Sequence, residues 1–248
     1  MCLGDLDGES AAQAASELGA HAHPFRVDVR SRESFADFVE SIENTVGPID
    51  VLVNNAGVMP AGAFLEESEA TSETVLAVNV AGPLHGMRLV LPGMIERRRG
   101  HVVNVASMLG KTELPGLATY IASKHALVGL TAGVRSELAG TGVTLTVLLP
   151  GIVNTELSSG IPIPRLIRGI ARIEPEDVAR AIVESCRTRP RELAVPRWLA
   201  LYPTMRPLIP ERLEALARKV LGDDKALRGV DHRGRAAYDE RIERQVLD

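Results

Sequence analysis

Residues 101–124 read HVVNVASMLGKTELPGLATYIASK, and this stretch decides the fold. His101 to Ala106 form a short apolar run with β-branched residues on both faces, as in a strand that is covered on both sides. A stretch of helical composition, Thr119 to Ala139, begins shortly afterwards. The pattern predicts a buried strand, a loop that opens with Ser107, and a helix that starts near Tyr120.

The same alternation of strand and helix extends in both directions along the chain. Further strands are predicted at Pro24 to Val29, Ile49 to Asn54 and Val143 to Leu149, and further helices at Glu9 to Leu18, Glu33 to Val46 and Ser72 to Arg99. Pro175 opens another helix, because proline presets φ and the acids that follow it suit a first turn. This spacing predicts an α/β fold with a doubly wound parallel sheet.

Composition narrows the classes of function. The net charge of −4 and the lack of a basic stripe with interleaved aromatics give no reason to expect a nucleic-acid partner. Cys2 and Cys186 belong to no CxxC pair, so we expect no disulfide framework and no metal site. The N-terminus turns acidic at once, and no uncharged apolar run reaches the ~18 residues of a membrane span. These features predict a cytoplasmic protein.

Tyr120 and Lys124 stand four residues apart and should project from one helix face. A phenol with a pKa of about 10 is a poor acid–base catalyst at neutral pH. An ammonium ~4 Å away, at an effective dielectric near 20, would favour the phenolate by about 4 kcal/mol. We therefore expect Lys124 to lower the pKa of Tyr120 towards roughly 7, where general acid–base catalysis is most effective. By itself this spacing also fits a half-buried tyrosine on a surface helix.

Other polar residues follow strands or begin helices, where α/β folds place active groups. These residues lie in five motifs, which are NNAG (54–57), VNVAG (78–82), NVAS (104–107), YIASK (120–124) and PGIVNT (150–155). With these motifs the chain resembles the short-chain dehydrogenase/reductase family in its compact single-domain form. The resemblance is strong from Gly4 to about Thr155 and weaker to about Pro196. It implies a Rossmann-like fold and reversible hydride transfer between a nicotinamide cofactor and a carbonyl or secondary alcohol.

The resemblance also implies roles for particular residues. Tyr120 would be the acid–base and Lys124 would lower its pKa and bind the nicotinamide ribose. Ser107 would polarise the carbonyl, and Asn79 would hold a water in a proton relay. Asp5 would lie against the adenosine ribose, where a carboxylate accepts hydroxyl hydrogen bonds and repels a 2′-phosphate, so NAD is favoured over NADP. Asp5 also fits a plain acidic turn.

The remaining cofactor contacts implied by the resemblance lie after successive strands. They are Asp28 and Val29 at the adenine, Asn55, Ala56 and Gly57 near the adenine ribose, and Pro150, Gly151, Val153 and Thr155 at the carboxamide. Thr155 after its Pro-Gly turn also suits a simple helix cap.

The family's first strand and TGxxxGxG turn would precede Asp5 by roughly twenty residues, so we expect this chain to lack them. The predicted sheet is then N-terminally truncated. It has a gap between the strand ending at Asp5 and that ending at Asn54, unless these strands close up or another segment fills it. Met1 is either an internal methionine of a longer chain, which we favour because the later motifs are intact, or the start of a shortened product with little cofactor affinity.

We expect a dinucleotide-binding and catalytic domain at 1–196, with a substrate loop at 156–174, and a helical extension at 197–248 with a helix at Glu211 to Leu221. The apolar stretch in 197–221 can line a substrate pocket, contact a membrane surface or pack on a partner subunit, and packing is favoured. The resemblance implies a homodimer or homotetramer through the helices Ser72 to Arg99 and Thr119 to Ala139.

Two functions remain open at this point. The first is an NAD-dependent oxidoreductase that acts on an apolar carbonyl or secondary alcohol. The alternative is a catalytically impaired remnant that acts as a binding or subunit-interaction protein.

Overall fold

The fold is known from a computed structural model that describes residues 1–161, 172–210 and 232–247. Its strands are β1 (Cys2–Asp5), β2 (His23–Arg26), β3 (Val51–Asn54), β4 (Gly100–Val105), β5 (Val143–Pro150), β6 (Ile152–Val153), β7 (Arg172–Ile173) and β8 (Glu192–Val195). Its helices are α1 (Gly8–Leu18), α2 (Arg32–Thr45), α3 (Glu69–Leu76), α4 (Gly82–Glu96), α5 (Ala118–Glu137), α6 (Pro175–Thr188), α7 (Leu201–Met205) and α8 (His232–Leu247). The predicted alternation of strands and helices is therefore confirmed.

The main sheet has four parallel strands in the order β3-β4-β5-β8. Val102 and Val103 on β4 point to opposite faces, and both are fully buried. Val102 packs in a cluster with Phe35 of α2 and residues of α4 and α5, whereas Val103 packs with Val178 of α6. Because helices cover both faces, the doubly wound, Rossmann-like fold predicted from the sequence is confirmed.

A separate two-stranded sheet is formed by β1 and β2, which pair in parallel. No backbone hydrogen bond joins it to β3 within the described residues. Side-chain packing connects the two sheets instead, since Val27, just after β2, lies in the same buried cluster as Leu52 of β3. The edge of β3 is open, with Val51 and Val53 43% and 36% exposed. The strands beside the expected gap have not closed up, and no described segment pairs between them.

Several predicted boundaries need correction. The helix expected at Ser72 to Arg99 begins earlier, at Glu69, because the Ser68 hydroxyl caps it by accepting from the N–H of Thr71. It is also interrupted by one π-helical turn at Ala77–Ala81. The strand expected at Pro24 to Val29 is His23–Arg26, since Asp28 turns the chain by accepting from the N–H of Arg30.

The C-terminal part returns to the domain. Helix α8 buries Ile242 in a cluster with Val58 and Val78. Large apolar side chains in residues 198–209 stay exposed, among them Leu201, which is 64% exposed, and Leu208, which is 74% exposed. The helix predicted at Glu211 to Leu221, and part of the predicted substrate loop, lie outside the described residues.

The continuous helical stretch Glu69–Glu96 is long and apolar enough to cross a membrane by length and composition. However, 56% of its most apolar window is buried inside the fold. That burial is typical of the core helix of a globular domain.

Candidate active site

A chain of buried side chains fixes α5 against the carboxyl ends of β3 and β4. The Asn54 amide donates to Asn104 Oδ1 at 2.8 Å, and the Asn104 amide donates to Thr131 Oγ1 at 2.8 Å. The Thr131 hydroxyl donates in turn to the carbonyl of Leu127. Because each polar group has a partner away from water, the helix cannot shift without leaving one unpaired. This network sets where Tyr120 and Lys124 stand.

Ser107 and Tyr120 meet at the end of β4. Ser107 is in an extended conformation, and its hydroxyl accepts from the N–H of Leu109, which starts a short 3₁₀ turn. Its hydroxyl also lies close enough to the phenol of Tyr120 to act against the rise in the Tyr120 pKa. Tyr120 is 5% exposed, and its ring lies in a cluster with Met59 and Leu117. The two residues thus present hydroxyl groups to one point.

The structure does not show the expected lowering of the Tyr120 pKa. Burial raises the pKa of Tyr120 from 10.0 to about 12, and the nearby Ser107 hydroxyl only partly opposes the rise. Lys124 does not counter it, because the Lys124 ammonium lies over the ring, 5.6 Å from its centroid, and donates to the carbonyl of Val105 at 3.0 Å. The expected lowering required an ammonium ~4 Å from the phenol oxygen and an effective dielectric near 20. Here desolvation outweighs the attraction.

Lys124 is buried, with 4% of its surface exposed. Desolvation lowers the pKa of its ammonium from 10.5 to about 8. At neutral pH the group therefore remains mostly protonated and keeps three N–H donors. One donates to the Val105 carbonyl, and no described protein group accepts the other two.

Those two free donors test whether the site fits a nicotinamide cofactor. They point to a buried polar ligand, and a ribose diol offers the two oxygen atoms required. Gly57 borders the same space, since a Cβ built on it would lie 3.4 Å from both Lys124 Nζ and Asn79 Oδ1. Asn55 and Ala56, just before it, are exposed after β3. The residues at this end of the site fit a nicotinamide riboside.

Asn79 is fully buried and lies in the π-helical turn. Its side chain accepts from the N–H of Val58 and donates to the carbonyl of Val58, both at 2.9 Å, and it also donates to the Ser123 hydroxyl. Ser123 donates to the carbonyl of Tyr120 at 2.6 Å. Asn79 thus holds the loop after β3 on the Tyr120 turn. Sequence reasoning missed Ser123, although it stands inside the YIASK motif.

The predicted adenosine end is built by β1 and β2. Asp5 is exposed and accepts from the N–H of Asp7 through one oxygen, which leaves the other oxygen unpaired. Arg30 binds both carboxylate oxygens of Asp28 at 2.8 to 3.1 Å. Partial burial acts to raise the pKa of Asp28, but the hydrogen bonds from Arg30 prevail and hold it below its ordinary value. Val29 packs against Gly82 at the start of α4.

The predicted carboxamide end follows β5. Pro150 ends that strand beside β8, and Gly151 donates its N–H to the carbonyl of Val195. Val153 packs on the cluster beneath α6. Thr155 is exposed and begins a 3₁₀ turn without a side-chain cap, so its hydroxyl is free. The simple-cap interpretation of Thr155 is therefore wrong.

Tyr238 of α8 is a further phenol near this site that the sequence did not reveal. Its hydroxyl accepts from the N–H of Met59 at 2.8 Å, and its electrostatic effect adds to the rise in the Tyr120 pKa. Among the described residues, no group of three or more His, Cys, Asp or Glu side chains is placed to hold a metal ion.

The chain is similar to known proteins in both sequence and fold. The sequence model of the short chain dehydrogenase family matches residues 2–163. Estradiol 17-beta-dehydrogenase 11 of Rattus norvegicus is 34% identical over 216 residues, which cover 86% of this chain and 71% of the rat protein. A solved short-chain dehydrogenase of Streptomyces avermitilis has a TM-score of 0.72 and 26% identity over 93% of this chain and 88% of its own.

A second solved structure shares the fold. It is a gluconate 5-dehydrogenase of Burkholderia cenocepacia in complex with NADP and tartrate. Its TM-score is 0.70 with 24% identity, over 78% of this chain and 82% of that chain.

Proposed function

This chain belongs to the short-chain dehydrogenase family, and from that premise we propose that it transfers a hydride between NAD and an apolar carbonyl or secondary alcohol. It is an oxidoreductase of a fold that binds a nicotinamide cofactor. The observation that carries the proposal is the buried group of Ser107, Tyr120 and Lys124, which places two hydroxyls and an ammonium at the end of one strand.

The proposed proton chemistry follows from these groups. The nicotinamide supplies or takes up the hydride. In the direction of reduction, Ser107 and Tyr120 donate hydrogen bonds to the carbonyl oxygen, and the Tyr120 proton moves to that oxygen as negative charge develops. A pKa of about 12 keeps the Tyr120 phenol protonated at neutral pH, so the donor is ready. Lys124 serves to hold the cofactor: its two free N–H donors bind the nicotinamide ribose beside Tyr120.

The preference for NAD rests on Asp5. Its unpaired carboxylate oxygen can accept from a ribose hydroxyl, and the charge would repel a 2′-phosphate. The solved relative with NADP shows that this fold also accepts the phosphorylated cofactor. The choice therefore depends on the residue at the end of β1, and Asp5 favours NAD.

The apolar character of the substrate is supported by the surroundings of Tyr120. The side chains that pack around the Tyr120 cluster include Leu109, Leu114, Leu157 and Ile161. None of them carries a charge that would pair with an acidic or phosphorylated substrate. The name of the rat relative, an estradiol dehydrogenase, also points to an apolar secondary alcohol.

We further propose a homodimer or homotetramer through the outer surfaces of α4 and α5. The exposed face of α5 carries small residues, Ala122, Ala126, Gly129 and Gly133, and a Cβ built on either glycine would meet nothing within 4 Å. Such a face lets a second helix approach closely. Analytical ultracentrifugation of the wild type and of Ala126→Arg tests this, because the arginine should dissociate the assembly.

Substitution of the proposed proton donor tests the catalytic function. Tyr120→Phe should lower turnover of apolar ketones by about 10²-fold or more, while NADH affinity stays roughly unchanged, because only the proton donor is lost. The matched control is Tyr202→Phe, which alters an exposed phenol and should leave turnover unchanged. Turnover is followed by NADH absorbance on apolar ketones and on polar hydroxy acids. Substantial turnover by Tyr120→Phe contradicts the assigned role.

A further inference from the structure

Helix α8 lies beside three of the segments that are proposed to contact the dinucleotide. Ile242 and Tyr238 pack in one cluster with Val29, at the predicted adenine contact, and with Val58, which directly follows Gly57.

At the nicotinamide end, α8 reaches the segment after β5. Arg241 forms an ion pair with Glu156, the residue after Thr155. Tyr238 binds the backbone of Met59, whose side chain packs with Tyr120. The helix has 16 residues and is therefore about 24 Å long.

Arg235 fastens the helix in this position. Its side chain is fully buried, and its guanidinium donates to the carbonyls of Leu157, Ser159 and Met59 at 2.6 to 3.1 Å. The guanidinium also stacks over the Tyr238 ring, 4.8 Å from its centroid. One guanidinium thus joins α8 to the loop after β3 and to the loop after β5.

One hydrogen-bond donor of the Arg235 side chain is unsatisfied. Arg235 Nε is buried and has no hydrogen-bond partner, and the Asp239 carboxylate stands 3.4 Å away. A buried donor without a hydrogen-bond partner weakens the docked position.

We propose that α8 occupies the dinucleotide groove as an internal competitor and must undock before a nicotinamide dinucleotide binds along its whole length. The inference rests on the proposed function, since it takes the groove from the same cofactor contacts. Two bodies cannot pack on Val29, Val58 and the Glu156 turn at once. The apparent affinity for the dinucleotide is then reduced by the fraction of molecules in which α8 is undocked.

The test weakens docking in the full chain and measures binding of NADH by calorimetry. Ile242→Asp places a charge in the cluster with Val58, and Arg235→Met removes the donors to Met59 and the loop after β5. Ala236→Ser is the matched control, because Ala236 is exposed on the same helix. Hydrogen exchange at the Met59 amide reports docking independently, since that N–H donates to Tyr238.

We expect faster exchange at the Met59 amide in both variants. We also expect both variants to bind NADH at least roughly tenfold more tightly than the wild type and the control do. In the wild type, NADH should itself accelerate exchange at Met59. Faster exchange with unchanged or weaker NADH binding overturns the inference, as does NADH binding to the wild type with Met59 still protected. If no chain binds NADH although exchange shows α8 undocked, the proposed function fails as well.

Discussion

Replacing Lys124 by methionine should stabilise the folded chain at neutral pH while it abolishes turnover. The pKa of Lys124 falls from 10.5 to about 8 on folding because of desolvation. With each pKa unit worth about 1.4 kcal/mol, burial of the ammonium costs roughly 3 kcal/mol. Methionine loses the hydrogen bond to the Val105 carbonyl, worth about 1 kcal/mol. Lys124→Met should therefore raise the free energy of unfolding by about 2 kcal/mol at pH 7.

The gain in the free energy of unfolding should become smaller as pH rises. Below pH 8 the ammonium is charged in both the folded and the unfolded chain, so its whole burial cost is present. Between pH 8 and 10.5 the folded chain has released its proton and the unfolded chain has not, so the cost falls as pH rises. Near pH 10 only about 1 kcal/mol of the cost remains, and wild type and variant should be about equally stable.

Urea unfolding of both chains at the two pH values measures the difference. The matched control is Lys111→Met, which removes a partly exposed lysine paired with Glu192 and should change stability by less than about 1 kcal/mol. A Lys124→Met chain that is less stable than the wild type at pH 7, or a difference that is equal at both pH values, would refute the reasoning. Turnover must fall in either case if Lys124 acts as proposed.

Two further outcomes are expected. Asp5→Ala should weaken binding of NAD more than of NADP in calorimetry, because a carboxylate beside the ribose favours the hydroxyl and repels the phosphate; equal losses would overturn the cofactor preference. Gly142→Ala should cost about 2–5 kcal/mol in urea unfolding, since Gly142 has φ +87° and a Cβ would lie 2.2 Å from the Arg98 carbonyl oxygen. Gly140→Ala should cost only about 1–2 kcal/mol, because Gly140 has φ +82° and open space around it; similar losses at both positions would contradict the steric argument.

Much of the fold could be predicted from the sequence because strand composition and motif spacing depend on local burial and local backbone preferences. The strands around Leu52, Val102 and Leu145 are apolar on both faces, and this pattern has few explanations other than a covered parallel sheet. Pro175 marks the start of α6 correctly, because a proline at the first helical position is a local choice.

The electrostatics of Tyr120 and the place of α8 could not be predicted in this way. The pKa of Tyr120 depends on how completely the fold excludes water from the ring, and sequence spacing does not encode that. The sequence of α8 carries seven charged residues among 16 and resembles a solvent-exposed arm, because its apolar anchors, Tyr238 and Ile242, are sparse. An arginine such as Arg235 would ordinarily be assigned to the surface. Here backbone carbonyls far away in the sequence accept hydrogen bonds from its buried guanidinium.

The open boundary between the two sheets makes residues 1–47 a semi-independent cooperative unit. They share apolar contacts with the other described residues but no described backbone–backbone hydrogen bond across that boundary. Such a unit can open below the free energy of global unfolding. Asp5 and Asp28 lie on it, whereas Tyr120 and Lys124 lie beyond it. If Asp5 and Asp28 bind the adenosine half of a dinucleotide as proposed, that affinity is thermodynamically linked to local folding of the N-terminal unit, and a bound dinucleotide would couple the two halves of the protein into one.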